Sequence, residues 1–344
     1  MSTPHEPPCP SLALKVAMLS QAASYPAPVH RVDSIETHMS WVFLAGNFAY
    51  KLKKPVRTAH CDFRSLAARH YFCSEELRLN RRLAGAIYIG LVQLGIDSAQ
   101  RLHLGSDGVP VDWLVKMHRV PEWLLLHVAI AERSASMDDA DQIVRALTGF
   151  YRTLPAERLA PAAYRTRFNR QIEADRIELG EALYGLPPES VSSLYKALSS
   201  ALLQCGQLLD ERLSMGRVVE GHGDLRPEHI CLLPEIAIID CLEFSRDLRL
   251  LDTVDEVGYL ALECERLGAP RFSEALLRAY RIHSGDDPPA QLIHFYQSCR
   301  ASTRTLLAAR HLKEKKFRDS PYWRRTAAAY LGLALRHARA CQTA

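Results

Sequence analysis

"HGDLRPEHICLLPEIAIIDCLEF", residues 222–244, places two aspartates, Asp224 and Asp240, on either side of a short apolar run. Asp224 lies in a His-x-Asp turn, where a carboxylate is placed to take a proton from a hydroxyl. His229 follows five residues later, a side chain able to ligate a metal or to hydrogen bond. Ile236 to Ile239 reads as a buried strand that Asp240 ends. A hairpin of this length is expected to bring Asp240 back near His229. Two acids facing one cleft suit a Mg²⁺-nucleotide site, because Mg²⁺ takes hard oxygens from one or two carboxylates plus the phosphates. The other reading of the same residues is a buried hairpin that happens to carry acids.

Upstream, "VDSIETHMSWVFLAGNFAYKLKKPV" predicts three strands, Val32 to Ile35, Trp41 to Leu44 and Phe48 to Leu52, with a tight turn at Ala45 to Asn47. "DFRSLAARHYFCSEELRLNRRLA" (Asp62 to Ala84) has apolar residues at helical spacing. Ile87 to Leu94 and Val111 to Met117 read as further strands. After Pro121 helical patterns dominate: Asp138–Leu154, Tyr164–Leu183, Val191–Leu213, Asp252–Leu267, Phe272–His283, Pro289–Lys315 and Tyr322–Cys341. The expected organisation is an α+β, two-lobed chain. Residues 1–24 form a Pro-rich tail with a short helix, 25–117 a β-rich lobe, 118–122 a hinge, and 123–344 a helical lobe that includes the opening stretch.

Bulk properties narrow the class. The chain has 344 residues, is 48% hydrophobic and carries a net charge of +4. That charge calls for neither a nucleic-acid partner nor a membrane surface, and no apolar run approaches the roughly 20 residues of a spanning helix. The N-terminus lacks the basic and apolar regions of a signal peptide. Nine cysteines without a C-x-x-C pair argue against a disulfide framework and for a reducing cytoplasm. A zinc site from His222, His229, Cys231 and Cys241 matches no usual finger or deaminase spacing.

"HGDLRPEHI…IIDCLEF" resembles the catalytic segment of the aminoglycoside phosphotransferase-like kinases, a branch of the protein-kinase-like fold. Their pattern is H-x-D-x-x-x-x-N followed by a strand ending in a metal-binding Asp. More closely, "ETHMSWVFLAGNFAYKLKKPV" and "EELRLNRRLA" are similar to segments of a bacterial phosphotransferase family, a likeness covering roughly residues 25–310. Some relatives carry a second, P-loop domain; this sequence has no G-x-x-x-x-G-K-[ST], so that domain is expected to be absent.

The resemblance implies an enzyme that moves the γ-phosphoryl group of ATP, with Mg²⁺, to a hydroxyl of a small-molecule acceptor. It assigns Asp224 as base, Asp240 as metal ligand, His222 as a scaffold for the loop and Arg226 as a neutraliser of the γ-phosphoryl oxygens. Lys51 would pair the phosphates, with Lys53 on the same face as the alternate and Lys54 pointing away. Glu76 would hold that lysine, with Glu75 as its neighbouring alternative. "ETHMS" stands where a glycine-rich loop is usual, and Thr37, His38 and Ser40 would offer donors to phosphate. Met117 to Arg119 would meet adenine. Asp252 and Asp255 resemble the D-x-x-D that braces the catalytic loop. Arg300 and Arg304, one helical turn apart, are either ordinary salt-bridging residues or ligands of an anionic acceptor.

His229 is the departure, because the family pattern has Asn there. Imidazole nitrogen is a softer donor that suits transition metals. One Mg²⁺, a preference for Mn²⁺, a purely hydrogen-bonding His229 and a nucleotide-binding pseudoenzyme are the readings it leaves open. A protein kinase is less compatible, since Gly223 replaces Arg and D-F-G and A-P-E are missing.

Overall fold

A computed structural model describes residues 10–26, 28–58, 60–232 and 235–343. The tail expected over residues 1–9 and the tip of the opening hairpin at residues 233–234 lie outside the described residues. The chain forms two units. One comprises Met1–Leu124 with Cys231–Asp247, the other Leu125–Ile230 with Leu248–Ala344. The end of the opening stretch, assigned to the helical lobe by its position in sequence, therefore packs with the N-terminal unit.

The first unit begins with helix α1 (Leu12–Leu19), capped by the Ser11 side chain. Strands β1 (Val32–Glu36), β2 (Ser40–Ala45) and β3 (Phe48–Lys53) follow as expected. Gly46 supplies the left-handed residue, φ +58°, that the β2–β3 turn needs. Helix α2 (Leu66–Ala84) is capped by Ser65. Then come β4 (Tyr88–Ile96), β5 (Leu102–Leu104) and β6 (Val109–His118). The sheet order is β1-β2-β3-β6-β4-β5. β5 was not anticipated; its three residues are too few for an alternation to register.

Alternation along β3 sends Lys51 and Lys53 to one face and Leu52 to the other. On the apolar face Phe43, Tyr50, Leu52, Leu94 and Leu114 make the core. Lys15 pins α1 to the sheet: its ammonium donates to Asp112 Oδ2 at 2.7 Å and to the Val111 carbonyl at 2.9 Å. Arg69 on α2 donates to the other Asp112 oxygen at 2.7 Å. A second apolar cluster, around Cys73, Tyr88 and Val115, takes Ala237 and Ile239 from the returning segment.

The second unit holds α3 (Leu126–Ala131), α4 (Met137–Thr153), α5 (Pro161–Leu179), α6 (Pro188–Gln204) and α7 (Gly206–Ser214). The single helix expected over Val191–Leu213 is two, divided at Cys205, where Gly206 starts a new helix. Strand β7 (Val218–Glu220) leads to the His-x-Asp turn. The chain passes into the first unit within the two-residue strand β8 (Ile230–Cys231), and β9 (Ala237–Ile238) lies in that unit. Helix α8 (Arg246–Arg249) precedes β10 (Leu250–Asp252), which pairs antiparallel with β7. Helices α9 (Thr253–Arg266), α10 (Pro270–Ser284), α11 (Ala290–Arg310) and α12 (Pro321–Thr343) complete the unit. Every residue of α9 from Thr253 to Cys264 is buried. Its acids therefore face protein rather than water, and each needs a partner. Among the described residues no helix is long and apolar enough to cross a membrane.

Candidate active site

In the first unit, β3, α2 and the returning segment converge on one carboxylate. Lys53 donates to Glu76 Oε2 at 2.6 Å, while Lys51 Nζ lies 2.9 Å from Glu76 Oε1. That second oxygen is buried, and its contact with Lys51 is an ion pair. Lys51 instead donates to Asp240 Oδ1 at 2.7 Å, across 189 positions of sequence. Lys53 also donates to Glu243. The two lysines differ in access: the Lys51 side chain is 14% exposed and Lys53 1%. Burial works to strip the proton from Lys51, but Asp240, Glu76 and Glu243 outweigh it and hold the ammonium well above the ordinary lysine range. Lys54 points away, as expected, to Glu36 at 2.5 Å and the Thr37 carbonyl at 2.6 Å. Glu75 faces Arg78 on the exposed side of α2.

Asp240 sits in a left-handed conformation, φ +61°, which costs a non-glycine residue about 1–2 kcal/mol. Its surroundings impose it. The Asp240 N–H donates to the Tyr88 hydroxyl at 3.2 Å, and the next N–H, of Cys241, to Asn80 Oδ1 at 2.9 Å. Asn80 follows Glu76 by one turn of α2, so one helix face fixes both the lysines and the Asp240 backbone. The buried strand expected over Ile236–Ile239 is reduced to the two residues of β9, and of the four only Ile238 is buried. The Asp240 side chain remains 46% exposed. A half-exposed carboxylate held by its backbone fits one ligand position of a Mg²⁺ whose other ligands are phosphates and waters. Among the described residues no group of three or more His, Cys, Asp or Glu side chains is placed to hold a metal alone.

The other candidates in this unit are engaged locally. The Thr37 hydroxyl donates to the Ser40 carbonyl at 2.9 Å and accepts the Ser40 N–H at 3.0 Å, closing the turn that lacks glycine. Ser40 is buried and His38 exposed. The N–H of His118 donates to Ile87 and that of Arg119 to Asn47, both at 2.9 Å. Those two donors are thus spent within the sheet rather than offered to an adenine ring, and Met117 lies in β6 between β3 and β4.

In the second unit, the His-x-Asp turn is built from buried polar groups. Glu256 on α9 accepts the N–H of His222 at 2.8 Å, the N–H of Gly223 at 2.6 Å and the Tyr151 hydroxyl at 2.8 Å. A Cβ on Gly221 would stand 2.6 Å from this carboxylate, so glycine is required there. The expectation that Asp252 and Asp255 brace the loop needs correcting in detail. Asp252 caps α9 and pairs with Arg212 at 2.7 Å. Asp255 pairs with Arg300, whose Nη1 reaches the Gly223 carbonyl at 3.4 Å. The direct brace is Glu256, one residue past the recognised D-x-x-D.

Asp224 is a quarter exposed. Arg226 Nε donates to its Oδ2 at 3.1 Å and the Tyr259 hydroxyl to its Oδ1 at 3.2 Å. Burial would raise this carboxyl, but the neighbouring guanidiniums, Arg226 foremost and then Arg304, hold it at about 2. His222 is fully buried, and its Nδ1 accepts the Asp224 N–H at 3.4 Å.

His229 has both ring nitrogens committed. Arg226 Nη2 lies 2.9 Å from Nε2, and a guanidinium can only donate, so Nε2 is the acceptor. Nδ1 then carries the proton and donates to the Asp224 carbonyl at 2.8 Å. The imidazole is a neutral brace between two residues of the loop, an arrangement that leaves its nitrogens no lone pair for a metal.

No family model matches this sequence. Uncharacterized proteins of Mycobacterium bovis and Mycobacterium tuberculosis are 31% identical over 279 residues, 79% of this chain and 54% of theirs. The chain thus spans about half the length of the curated relatives it matches. Solved structures with similar folds include a choline/ethanolamine kinase family protein from Mesorhizobium loti (TM-score 0.54, 15% identity, 96% of this chain and 100% of that one). The GDP complex of aminoglycoside 2′-phosphotransferase-IIIa gives TM-score 0.55 at 15% identity, covering 95% of this chain and 99% of that one. Choline kinase from Cryptosporidium parvum gives 0.54 at 8%, covering 96% of each. The chain has the protein-kinase-like fold that aminoglycoside phosphotransferases and choline kinases share.

Proposed function

We propose that this protein is an ATP-dependent phosphotransferase acting on a hydroxyl of a small molecule. The observation that carries the reading is the Glu76–Lys51–Asp240 chain, which joins a strand lysine, a helix glutamate and a strand-end aspartate far apart in sequence. Lys51, the more exposed lysine, meets the nucleotide phosphates, and Lys53 stays as its buried support. Asp240 would supply carboxylate oxygens to Mg²⁺, which would neutralise charge on the phosphates. The neighbours of similar fold are named as kinases of choline, ethanolamine and aminoglycosides, which supports a small-molecule acceptor.

In the second unit Asp224 accepts a hydrogen bond from the acceptor hydroxyl and orients its oxygen. The oxygen forms a bond to the γ-phosphorus as the bond from that phosphorus to the β–γ bridging oxygen breaks, releasing ADP. The hydroxyl proton passes to Asp224. A carboxylate held at about 2 is a weak base at neutral pH. That suits a loose transition state, in which the nucleophile is positioned early and deprotonated late. Arg226 compensates charge at the Asp224 carboxylate, and His222 and His229 hold the loop.

A second reading is a nucleotide-binding module without turnover. It is favoured by His229, whose nitrogens are spent where the family pattern has a metal-binding Asn. ADP release measured against a metabolite library, for wild type and Asp224→Asn, separates the two. Acceptor-dependent release that Asp224→Asn abolishes supports the transferase. Nucleotide binding with no release from any acceptor supports the module.

A further inference from the structure

We infer that the acceptor is an anion, a hydroxyl compound bearing a carboxylate or phosphate that the Arg304 guanidinium receives beside Asp224. This rests on the reading of Asp224 as the group that meets the acceptor hydroxyl. Its first support is the fate of the three buried acids on α9, Asp255, Glu256 and Glu263. Asp255 receives two bonds from Arg300, at 2.7 and 2.8 Å. Glu263 receives the Tyr330 hydroxyl at 2.7 Å and Arg266 Nε at 2.8 Å. Glu256 is filled by the loop. All three are buried, so none presents an open carboxylate to an ammonium group.

The second support is the basic side chain left over. Arg304 follows Arg300 by four residues on α11, so both project from one helix face. Arg300 lies 5.1 Å over the Tyr259 ring, and the Tyr259 hydroxyl bonds Asp224. Arg304 lies 5.4 Å over the Tyr330 ring. Its Nε is 3.4 Å from the Tyr330 hydroxyl and 3.7 Å from Glu263 Oε1. Its two terminal nitrogens make no hydrogen bond among the described residues, and the side chain is 24% exposed. A guanidinium laid on an aromatic platform with its fork open matches the paired oxygens of a carboxylate or phosphate. Its field reaches Asp224, adding to the groups that keep that carboxyl ionised.

The test is isothermal titration of the full chain at low ionic strength with hydroxy acids, sugar phosphates, neutral polyols and amino alcohols, for wild type and Arg304→Gln. At least one oxyanion class is expected to bind, with affinity falling about 10- to 100-fold in Arg304→Gln, the loss of a charge-assisted bidentate contact. The hydroxy-acid and sugar-phosphate arms tell carboxylate from phosphate. Equal oxyanion binding by both proteins, or binding of amino alcohols alone, overturns the inference. Where turnover is measurable, Arg304→Gln is expected to raise the acceptor KM and leave the ATP KM unchanged. A rise in the ATP KM alone places Arg304 on the nucleotide and overturns it. Absence of ADP release with every acceptor counts against the transferase reading, while the titration still decides the charge of the ligand.

Discussion

The carboxylate of Glu256 is the residue on which the Asp224 loop depends, and its removal has a calculable cost. It receives two backbone N–H groups and one hydroxyl, all buried. Burial first, and the Glu256 charge second, hold the Tyr151 hydroxyl well above its usual range, so that proton stays on oxygen and is donated. In Glu256→Gln, Oε1 still serves His222 and Gly223, while the new NH₂ faces a Tyr151 hydroxyl that can turn to accept. Only charge assistance is lost, about 1 kcal/mol per bond and about 2–3 kcal/mol in all. Glu256→Ala leaves the three donors unpaired at about 1–3 kcal/mol each, so a loss of about 4–6 kcal/mol is expected. Tyr151→Phe removes one bond and costs about 1–2 kcal/mol. Urea unfolding of the four proteins measures these directly. Tyr151→Phe combined with Glu256→Gln should show coupling, because the two share a bond. Losses below about 0.5 kcal/mol for both Glu256 variants, within the range of ordinary surface substitutions, would refute the bracing role.

The other expectations concern separate parts of the molecule. Lys51→Met is expected to abolish ATP binding in a thermal-shift titration with a modest loss of stability; Lys53→Met, which takes one ion-pair partner from half-buried Glu243 and one from fully buried Glu76, costs about 3–5 kcal/mol. Equal stability losses would contradict this division of roles. Burial raises the Asp175 carboxyl to about 6, against the Gln171 and Thr303 hydrogen bonds. Its folded pKa lies above its unfolded value near 3.9, so its contribution to stability falls as pH rises from about 4 to about 6, by about 3 kcal/mol. Asp175→Asn should therefore gain stability over wild type at pH 7 and lose that advantage at pH 4; an equal difference at both pH values would count against it. His229→Gln should leave the Mg²⁺ to Mn²⁺ preference in nucleotide binding unchanged, whereas a shift in that preference would make the imidazole a metal ligand.

Alternation and helical period in the sequence were enough to place β1 to β3, α2 and the longer helices after Pro121, but not the short α3 and α8 or the break between α6 and α7, which carry too few residues for a period to register. What else they could not locate depends on side chains meeting across large sequence separations. Lys51 and Lys53 are equivalent as letters; only their unequal access, and the arrival of Asp240 and Glu243 from residues 240–243, distinguishes them. Glu256 was hidden for a similar reason. The D-x-x-D spacing drew attention to Asp252 and Asp255, while the three donors that select Glu256 come from the loop and from α4. The run "TVDEVGYLALEC", buried throughout yet carrying three acids, was the available signal, since buried carboxylates demand partners. His229 was legible as a departure. Its tautomer follows only from the guanidinium against Nε2.

Phosphorus NMR of the full chain with ATP, Mg²⁺ and a pool of hydroxy acids and sugar phosphates shows whether Asp224 directs phosphoryl transfer to an acceptor hydroxyl. A growing phosphomonoester resonance is expected, matched by loss of the ATP γ-signal and appearance of ADP, all absent in Asp224→Asn. A γ-signal that persists, or that converts only to inorganic phosphate at the same rate in both proteins, would contradict it.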